Sequence, residues 1–488
     1  MLTVALVAGA LGALGLQPYG VWPLTLISLA ALPWILADAP TWHRAALLGW
    51  FWATGYFLLA MTWIVEPFLV DVQRHGWMAP FALVFMAGGL ALFWAVAAGA
   101  AHAMGHSVLD RSVALIVTVG LAELARAYVL TGFPWAATAQ AFVDTGAMQL
   151  LAWVGPHGLA IWIAAAAMLP SAVYQAQRLR ALPVALIPAV ALVAAAVAVT
   201  PPDAKLSEST VRVLQPNAPQ HQKWDPNHVD TFFDRQVAFT GADQPPDLVV
   251  WPEAALPTVL DASGPAFDVI SNAARGAAVA IGLQRRDGLR YFNSMVVLDK
   301  GGAPAGLYDK HHLVPFGEYM PLGWLAAYFG IYGLAAEDGA GFSAGPGPRT
   351  LTIPGLGTAT ALICYEAVFP QDVRGAPRGD FLLHVTNDAW FGERSGPYQH
   401  LAQARMRAVE QGLPLVRSAN TGISGVIDPY GRLLAHLPLG VAGYRDSALP
   451  LPLPPTPYSE SGDLPVFLFL AIMFIALLGR QLRSHTSF

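Results

Sequence analysis

The sequence predicts two kinds of structure in one chain, an α-helical membrane domain and an α/β domain on the far side of the membrane. Only 12% of the 488 residues are charged, whereas an ordinary soluble domain has roughly 25%. Residues 1–200 hold only six Arg and six acidic residues, so most of the charge lies in residues 201–488. Apolar runs near the roughly 18–20 residues that span a bilayer recur through the first 200 positions.

Eight apolar runs predict eight transmembrane helices. They lie at about 2–16, 20–37, 44–65, 77–104, 112–131, 157–175, 182–200 and 463–480. The first run lacks a basic start and a small-residue cleavage site, so we interpret it as a retained span and not as a signal peptide. The alternative, buried helices of a large soluble protein, is disfavoured because soluble cores rarely contain so many uncharged runs.

The distribution of Arg predicts the orientation in the membrane. With the N-terminus inside, the cytoplasmic loops and tail contain Arg44, Arg111, Arg178, Arg180, Arg480 and Arg483, and the outer loops contain Arg74 and Arg126. This excess follows the positive-inside rule. We therefore expect both termini in the cytoplasm, a membrane domain over 1–200, an outer domain over 201–460, and the eighth helix with a tail over 461–488.

The outer domain alternates predicted strands and helices. Strands are predicted at 210–215, 247–251, 278–283, 293–299, 359–364, 381–386, 413–418 and 423–428, and helices at 227–241, 264–276 and 397–411. Strands interleaved with helices indicate an α/β domain in which the sheet lies between helical layers. The Pro-rich segment 450–458 predicts an extended linker back to the last span.

Net charge and cysteine content exclude several classes of function. A net charge of −5 without a basic cluster removes the electrostatic basis for nucleic-acid binding. The single cysteine, Cys364, excludes a disulfide framework and any CxxC metal or redox site.

Three residues of the outer domain form a candidate catalytic set. Cys364 closes an apolar strand and precedes a turn, which favours a nucleophile at the carboxyl end of a sheet; the alternative is a buried, inert thiol. Glu253 follows another apolar strand, where it can accept the thiol proton unless it is a solvated loop acid. Lys310 is one of only four lysines, and an ammonium here can stabilise an oxyanion.

The motifs around these residues resemble a known family. Glu, Lys and Cys in this order, within WPE, YDKxHLVPFGEYxP and CYExxFP, resemble the carbon–nitrogen hydrolase (nitrilase) superfamily. Eight spans together with QPN at 215–217, KW at 223–224, HLVPFGEYMP at 312–321 and TNDAWFG at 386–392 resemble the apolipoprotein N-acyltransferase family over essentially the full length.

The resemblance implies an extracytoplasmic nitrilase-like αββα sandwich and a ping-pong acyl transfer at a bacterial inner membrane. A phospholipid would acylate Cys364, and the thioester would then acylate the α-amine of the S-diacylglyceryl cysteine that begins an apolipoprotein. The expected partners are therefore a phospholipid donor, a diacylglyceryl apolipoprotein acceptor and the bilayer. We expect no cofactor, no metal, no nucleic acid and a monomer.

The resemblance also implies accessory residues. Glu318 matches a further acid of the family that orients Lys310 or relays a proton. Tyr365 and Glu366 flank the nucleophile. The backbone N–H of Tyr365 is expected at the oxyanion site, and the alternative for Glu366 as an accessory residue is a simple pair with an Arg. Trp224 and Asn217 match a substrate-side patch, although Trp224 is equally expected to be a packing residue.

Residues 321–345 are apolar and aromatic yet rich in Gly. Such a segment is expected to form a lipid-gating lid, with Trp324 and Phe329 on its apolar face; the alternative is a loop packed on the outer domain.

Two other functions are compatible with parts of the sequence. A membrane-tethered amidase or nitrilase would use the same three residues to hydrolyse a small amide, with water as the second nucleophile. A transporter would require several charges within its spans, and only Glu123 lies clearly within one.

Overall fold

The computed structural model describes residues 1–321 and 341–485, and the chain divides into two compact units. One unit consists of Met1–Pro202 and Thr456–Phe488, and the other of Asp203–Pro455.

The first unit is built from apolar helices. Its long helices are Leu2–Ala13, Trp22–Ala37, Trp42–Ala60, Ala79–Met104, Val108–Tyr128, Leu151–Gln175, Leu182–Ala198 and Leu464–His485. Short helices and helical turns lie at Thr62–Val65, Glu66–Leu69, Val72–His75, Gly76–Met78, Thr138–Phe142, Gly146–Leu150, Leu179–Ala181 and Pro457–Ser461.

Each predicted span coincides with a helix, but the helices differ in length. Within the described residues, four helical stretches are long and apolar enough to cross a membrane. A fifth is present if Trp42–Ala60 and Thr62–Leu69, bent by 63° where the prediction placed one helix over 44–65, form a single span. The first helix ends at Ala13 and not at 16, so it is only 12 residues long. The count of eight spans stays a prediction.

A buried ion pair lies inside the helix Val108–Tyr128. Arg126 was expected on an outer loop, but it belongs to this helix and pairs with Glu123 one turn away. The indole Nε1 of Trp94 also donates to Glu123, at 2.8 Å, and Arg126 donates to the carbonyl of Trp135 at 2.7 Å. The charge of Glu123 is therefore compensated by Arg126. Such a pair is a structural arrangement and not one of the series of charges that a transport pathway requires.

Within its described residues, the second unit contains twelve strands. They are β1 (Leu206–Gln215), β2 (Leu248–Val250), β3 (Ala278–Asp287), β4 (Arg290–Leu298), β5 (Pro304–Asp309), β6 (Thr350–Ile353), β7 (Gly357–Ile363), β8 (Phe381–Thr386), β9 (Leu415–Ala419), β10 (Ser424–Ile427), β11 (Leu433–Leu437) and β12 (Gly443–Pro450). They pair in two sheets of six, in the orders β12-β1-β2-β3-β4-β5 and β11-β10-β9-β8-β7-β6. The pairs β1–β2, β2–β3, β7–β8 and β8–β9 are parallel.

The two sheets face each other, and helices cover their outer faces. The Ser418 hydroxyl on β9 donates to the Leu214 carbonyl on β1 at 2.8 Å, which joins the sheets. Helices Val229–Thr240 and Gly264–Ala274 cover the first sheet through a core that includes Trp251. Helices Pro370–Gly375 and Gly396–Gln411 cover the second sheet. The layers therefore follow the order helix, sheet, sheet, helix, as expected for a nitrilase-like sandwich.

All eight predicted strands are present, and the prediction missed β5, β6, β11 and β12. These four are the edge strands of the two sheets. The linker predicted at 450–458 was partly wrong, because β12 continues to Pro450 and a short helix begins at Pro457.

Candidate active site

Cys364 lies directly after β7 and begins a tight helical turn, Cys364–Val368. Its φ is +50°, in the left-handed region that residues with a side chain rarely adopt, and only 6% of its surface is exposed. Such a conformation persists only where the surrounding structure holds it. The predicted sharp turn after the strand is therefore confirmed.

Glu366 holds this turn in place. Its carboxylate is fully buried and accepts hydrogen bonds from the Ile363 N–H at 2.7 Å, the Tyr308 hydroxyl at 2.7 Å and the His311 N–H at 2.9 Å. The ring of His311 also lies 2.7 Å from this carboxylate. The His312 N–H lies 3.3 Å away, so its partners are three backbone groups, a tyrosine and a histidine, and the alternative of a pair with an arginine is wrong.

Glu253 and Lys310 lie together at the ends of two strands of the first sheet. Glu253 follows β2, Lys310 follows β5, and the Lys310 Nζ lies 3.9 Å from the Glu253 Oε1. Both side chains are buried. The alternative for Glu253, a solvated loop acid, is therefore wrong.

Glu318 is the closer partner of the lysine. Its Oε2 lies 2.7 Å from the Lys310 Nζ and accepts the Val314 N–H at 2.8 Å. Two contacts on one oxygen fix the carboxylate and, with it, the position of the ammonium. This geometry supports the expectation that Glu318 orients Lys310.

Asn293 joins the two acids, and the sequence did not single it out. This residue lies on β4, and its Nδ2 donates to the Glu253 Oε1 at 2.7 Å and to the Glu318 Oε1 at 3.0 Å. The only signal in the sequence was an amide at the start of an otherwise apolar strand. A second unpredicted residue, the buried Lys223, donates from Nζ to the backbone carbonyl of Glu253 at 2.9 Å.

Burial and neighbouring charges shift the pKa values of four side chains in the site. Burial raises the pKa of the Cys364 thiol, and the charge of Glu253 raises it further against the opposing charge of Lys310. Burial also raises the pKa of Glu253. For Lys310, burial favours the neutral amine, but the acids around it, chiefly Glu318, outweigh burial and raise its pKa. Burial lowers the pKa of Lys223 to about 8.

These directions indicate how the thiol is activated. A thiol with a raised pKa stays protonated at neutral pH, so it needs a base. Glu253, whose own pKa is raised towards neutrality, is matched to that task. Lys310 remains a cation, as a group that stabilises an oxyanion must.

The other predicted residues, Tyr365, Trp224 and Asn217, lie in different surroundings. Tyr365 is buried, and its ring packs edge-on against Phe369, with ring centroids 4.8 Å apart. Trp224 is 42% exposed, and its ring lies 5.3 Å from the Nζ of Lys223, so it is not a buried packing residue. The Asn217 amide donates to the Gly440 carbonyl at 2.7 Å. The lid residues Trp324 and Phe329 lie outside the described residues.

A second buried cluster surrounds the backbone of the nucleophile, and it was also missed. It consists of His384, Asp388, His400 and Arg417, all fully buried. The sequence contained one signal, since Asp388 belongs to the motif TNDAWFG.

One group within the described residues has the donor atoms to hold a metal ion. Its members are His311, His312 and Asp372, whose ligand atoms lie within 4.8 Å of one another. Here they bond to one another, with the His312 Nδ1 at 2.6 Å from the Asp372 Oδ2. The absence of a metal requirement stays a prediction.

The second unit is an αββα sandwich with a buried cysteine, glutamate and lysine at the ends of its strands. This combination is typical of the carbon–nitrogen hydrolase class. Residues 211–452 match the carbon-nitrogen hydrolase family, and residues 8–169 match the apolipoprotein N-acyltransferase N-terminal domain.

Relatives match nearly the whole chain. The apolipoprotein N-acyltransferase of Rhodopseudomonas palustris is 35% identical, covering 98% of this chain and 95% of its own length. That of Caulobacter vibrioides is 37% identical, covering 97% and 93%. The chain belongs to the apolipoprotein N-acyltransferase family. Among solved structures, an amidase from Nesterenkonia sp. AN1 is 23% identical with a TM-score of 0.37, covering 51% of this chain and 94% of that chain.

The contact between Asn293 and Glu253 generates a prediction about pH. The Asn293 amide donates to the charged form of Glu253, so it holds the pKa of that carboxyl down against burial. In Asn293→Leu this pKa should rise further, and the acid limb of Cys364 reactivity should move to higher pH by about one unit. The measurement is the rate of alkylation of the single cysteine by iodoacetamide against pH.

Ser294→Ala is the matched control for this experiment. Ser294 is the next residue of β4, and its hydroxyl donates to Asp309 instead of Glu253 or Glu318. Its pH profile should match that of the wild type. An unshifted profile in Asn293→Leu would show that Glu253 does not control the thiol.

Proposed function

We propose that this protein transfers an acyl chain from a phospholipid to the α-amine of the N-terminal S-diacylglyceryl cysteine of apolipoproteins. The observation that carries the proposal is its identity of 35–37% with apolipoprotein N-acyltransferases over nearly the whole chain. The buried cluster of Cys364, Glu253 and Lys310 supports it, because these groups supply a nucleophile, a base and an oxyanion partner. The enzyme would thus be an acyltransferase with a Glu–Lys–Cys triad.

In the first half-reaction the thiol becomes acylated. Glu253 accepts the proton of Cys364 as the sulfur attacks the ester carbonyl of the phospholipid. The Lys310 ammonium and the Tyr365 N–H stabilise the tetrahedral oxyanion. When the intermediate collapses, the carbon–oxygen bond to glycerol breaks, and Glu253 returns its proton to the departing oxygen. A lysophospholipid leaves, and a thioester remains on Cys364.

In the second half-reaction the thioester acylates the acceptor. The neutral α-amine of the apolipoprotein attacks the thioester carbonyl, and Glu253 accepts a proton from the amine nitrogen. The carbon–sulfur bond then breaks, and the proton passes to the sulfur as the thiol is restored. Burial of the reacting groups supports transfer to an amine over hydrolysis, because a dry site keeps water away from the thioester. A hydrolase acting on small amides would release free acid instead.

The accessory residues have roles that follow from their contacts. Glu318 positions the Lys310 ammonium through a 2.7 Å contact, and Glu366 holds the turn that carries the nucleophile. We assign Trp224 to the substrate side because 42% of its surface is exposed beside the buried Lys223. Asn217 is better explained by its hydrogen bond to Gly440, which fixes the backbone.

We also propose the membrane arrangement. Eight helices would span a bacterial inner membrane with both termini in the cytoplasm, and residues 201–460 would lie on the outer face. The Arg distribution supports this orientation, and the apolar helices of the first unit support the membrane location.

The covalent route predicts an acylated cysteine. Purified protein incubated with phospholipid alone should gain one acyl group by intact-protein mass spectrometry, and neutral hydroxylamine should remove it. Cys364→Ser should gain none, since a serine hydroxyl is a far poorer nucleophile without a base matched to its higher pKa. An unmodified wild-type protein that still N-acylates a diacylated peptide would rule out the thioester.

The triad predicts large losses from conservative changes. Glu253→Gln removes the proton acceptor and Lys310→Arg replaces a compact cation by a broad planar one, so each should slow thioester formation by about 100-fold or more. Single-turnover mass spectrometry measures the rate. The exposed residues Glu208 and Lys300 provide matched controls, and Glu208→Gln and Lys300→Arg should keep the wild-type rate. Activity of Lys310→Arg within a few-fold of wild type would assign Lys310 a structural role.

The orientation predicts which introduced cysteines are accessible from outside. In a Cys364→Ala background, Leu289→Cys lies in the exposed turn between β3 and β4, and Leu179→Cys lies between two membrane helices. A membrane-impermeant maleimide applied to intact spheroplasts should label residue 289 at once and residue 179 only after permeabilisation. Labelling in the reverse order would invert the topology.

A further inference from the structure

The backbone carbonyl of the nucleophile has two imidazole partners. The Nε2 of His384 and the Nε2 of His400 each lie 3.1 Å from the carbonyl oxygen of Cys364. His384 comes from β8, the strand next to β7, and His400 comes from the helix Gly396–Gln411. Two side chains from different elements thus converge on one peptide group.

Arg417 and Asp388 fix the orientation of these rings. The Arg417 Nη1 lies 2.8 Å from the His384 Nδ1, and a guanidinium can only donate, so the ring proton of His384 lies on Nε2 and points at the Cys364 carbonyl. The Asp388 carboxylate contacts the Arg417 Nη2 at 2.6 Å and the His400 Nδ1 at 2.9 Å. All four side chains are fully buried.

The same peptide group carries the N–H of Tyr365. A peptide unit is planar and trans, so its C=O and N–H point in opposite directions. By donating to the Cys364 carbonyl, His384 therefore fixes the direction of the Tyr365 N–H, and the His400 ring packs against the same oxygen. Hydrogen bonds to a carbonyl also polarise the peptide and strengthen its N–H as a donor.

We propose that His384 and His400 are positioning residues that aim and polarise the Tyr365 N–H as an oxyanion donor, with Arg417 and Asp388 setting the rings. The inference rests on the proposed acyl transfer, in which this N–H and Lys310 bind the oxyanion. It also explains why a buried ion pair is used here, since a single backbone donor would satisfy a carbonyl without desolvating two charges. The Cys364 φ of +50° is the conformation that this arrangement maintains.

Two reactions of the single cysteine separate this role from a general structural one. Acylation by phospholipid passes through a tetrahedral oxyanion, whereas alkylation by iodoacetamide displaces iodide from carbon and forms none. Loss of oxyanion stabilisation should therefore slow only the first reaction. A collapsed site should slow both.

The experiment uses the full-length protein in phospholipid-containing detergent micelles. His384→Leu should slow thioester formation by about 10-fold or more. This loss is a part of the roughly 100-fold that a whole oxyanion donor supplies. Alkylation should stay within about threefold of the wild-type rate. His384→Gln can still present an N–H to the carbonyl, so it should recover part of the rate. His436→Leu, an exposed histidine on β11 of the same sheet, is the matched control and should change neither reaction.

The outcomes distinguish the inference from the function on which it rests. Unchanged acylation in His384→Leu, or an equal loss of acylation and alkylation, would overturn the positioning role while leaving acyl transfer intact. A wild-type protein that alkylates but never acylates would overturn the proposed function, and the oxyanion role with it. If His384→Leu does not fold, His384→Gln is the deciding variant. We then expect slower acylation than in the wild type together with normal alkylation. Acylation at the wild-type rate would contradict the positioning role.

Discussion

The buried ammonium of Lys310 is the charge on which the rest of the site depends. Only 1% of this residue is exposed, and a cation removed from water is tolerated only where opposite charges and hydrogen bonds compensate it. Glu318 at 2.7 Å and Glu253 at 3.9 Å provide that compensation, and Asn293 holds both carboxylates. Glu253, Lys310, Glu318 and Asn293 are consequently one electrostatic unit, in which the charges of the two acids raise the pKa of Lys310 against the effect of burial.

The nucleophile comes from the other sheet, and its turn is held separately. Glu366 accepts hydrogen bonds from the Ile363 N–H, just before the turn, and from the His311 N–H, and the Tyr308 hydroxyl from β5 of the first sheet donates to the same carboxylate. That bond connects the strand before Lys310 to the turn that begins with Cys364. Facing sheets therefore bring an acid and a cation from one sheet close enough to act electrostatically on a thiol from the other.

Strands in the middle of the sheets could be predicted from the sequence, and strands at the edges could not. The eight predicted strands occupy the central positions of the two sheets, where most of their residues are buried and apolar. The four missed strands are the edges, which retain exposed residues; β12, for example, contains the exposed Arg445. An edge strand forms because its neighbour offers an unpaired row of backbone groups, and that neighbour is not visible in the local sequence.

The sequence by itself determined the two-part organisation, the central strands and the candidates Glu253, Lys310 and Cys364. Glu253 and Cys364 each follow a predicted strand, and strand ends converge at one edge of a sheet. Lys310 was selected because the chain contains only four lysines. The family motif already indicated Glu318, but only the tertiary structure revealed the supporting residues Asn293 and His384. Asn293 and His384 lie within strands, where an isolated polar residue carries no sign of its partner. The partners come from distant segments, as Arg417 does for His384, and such contacts exist only once the sheets have paired and packed.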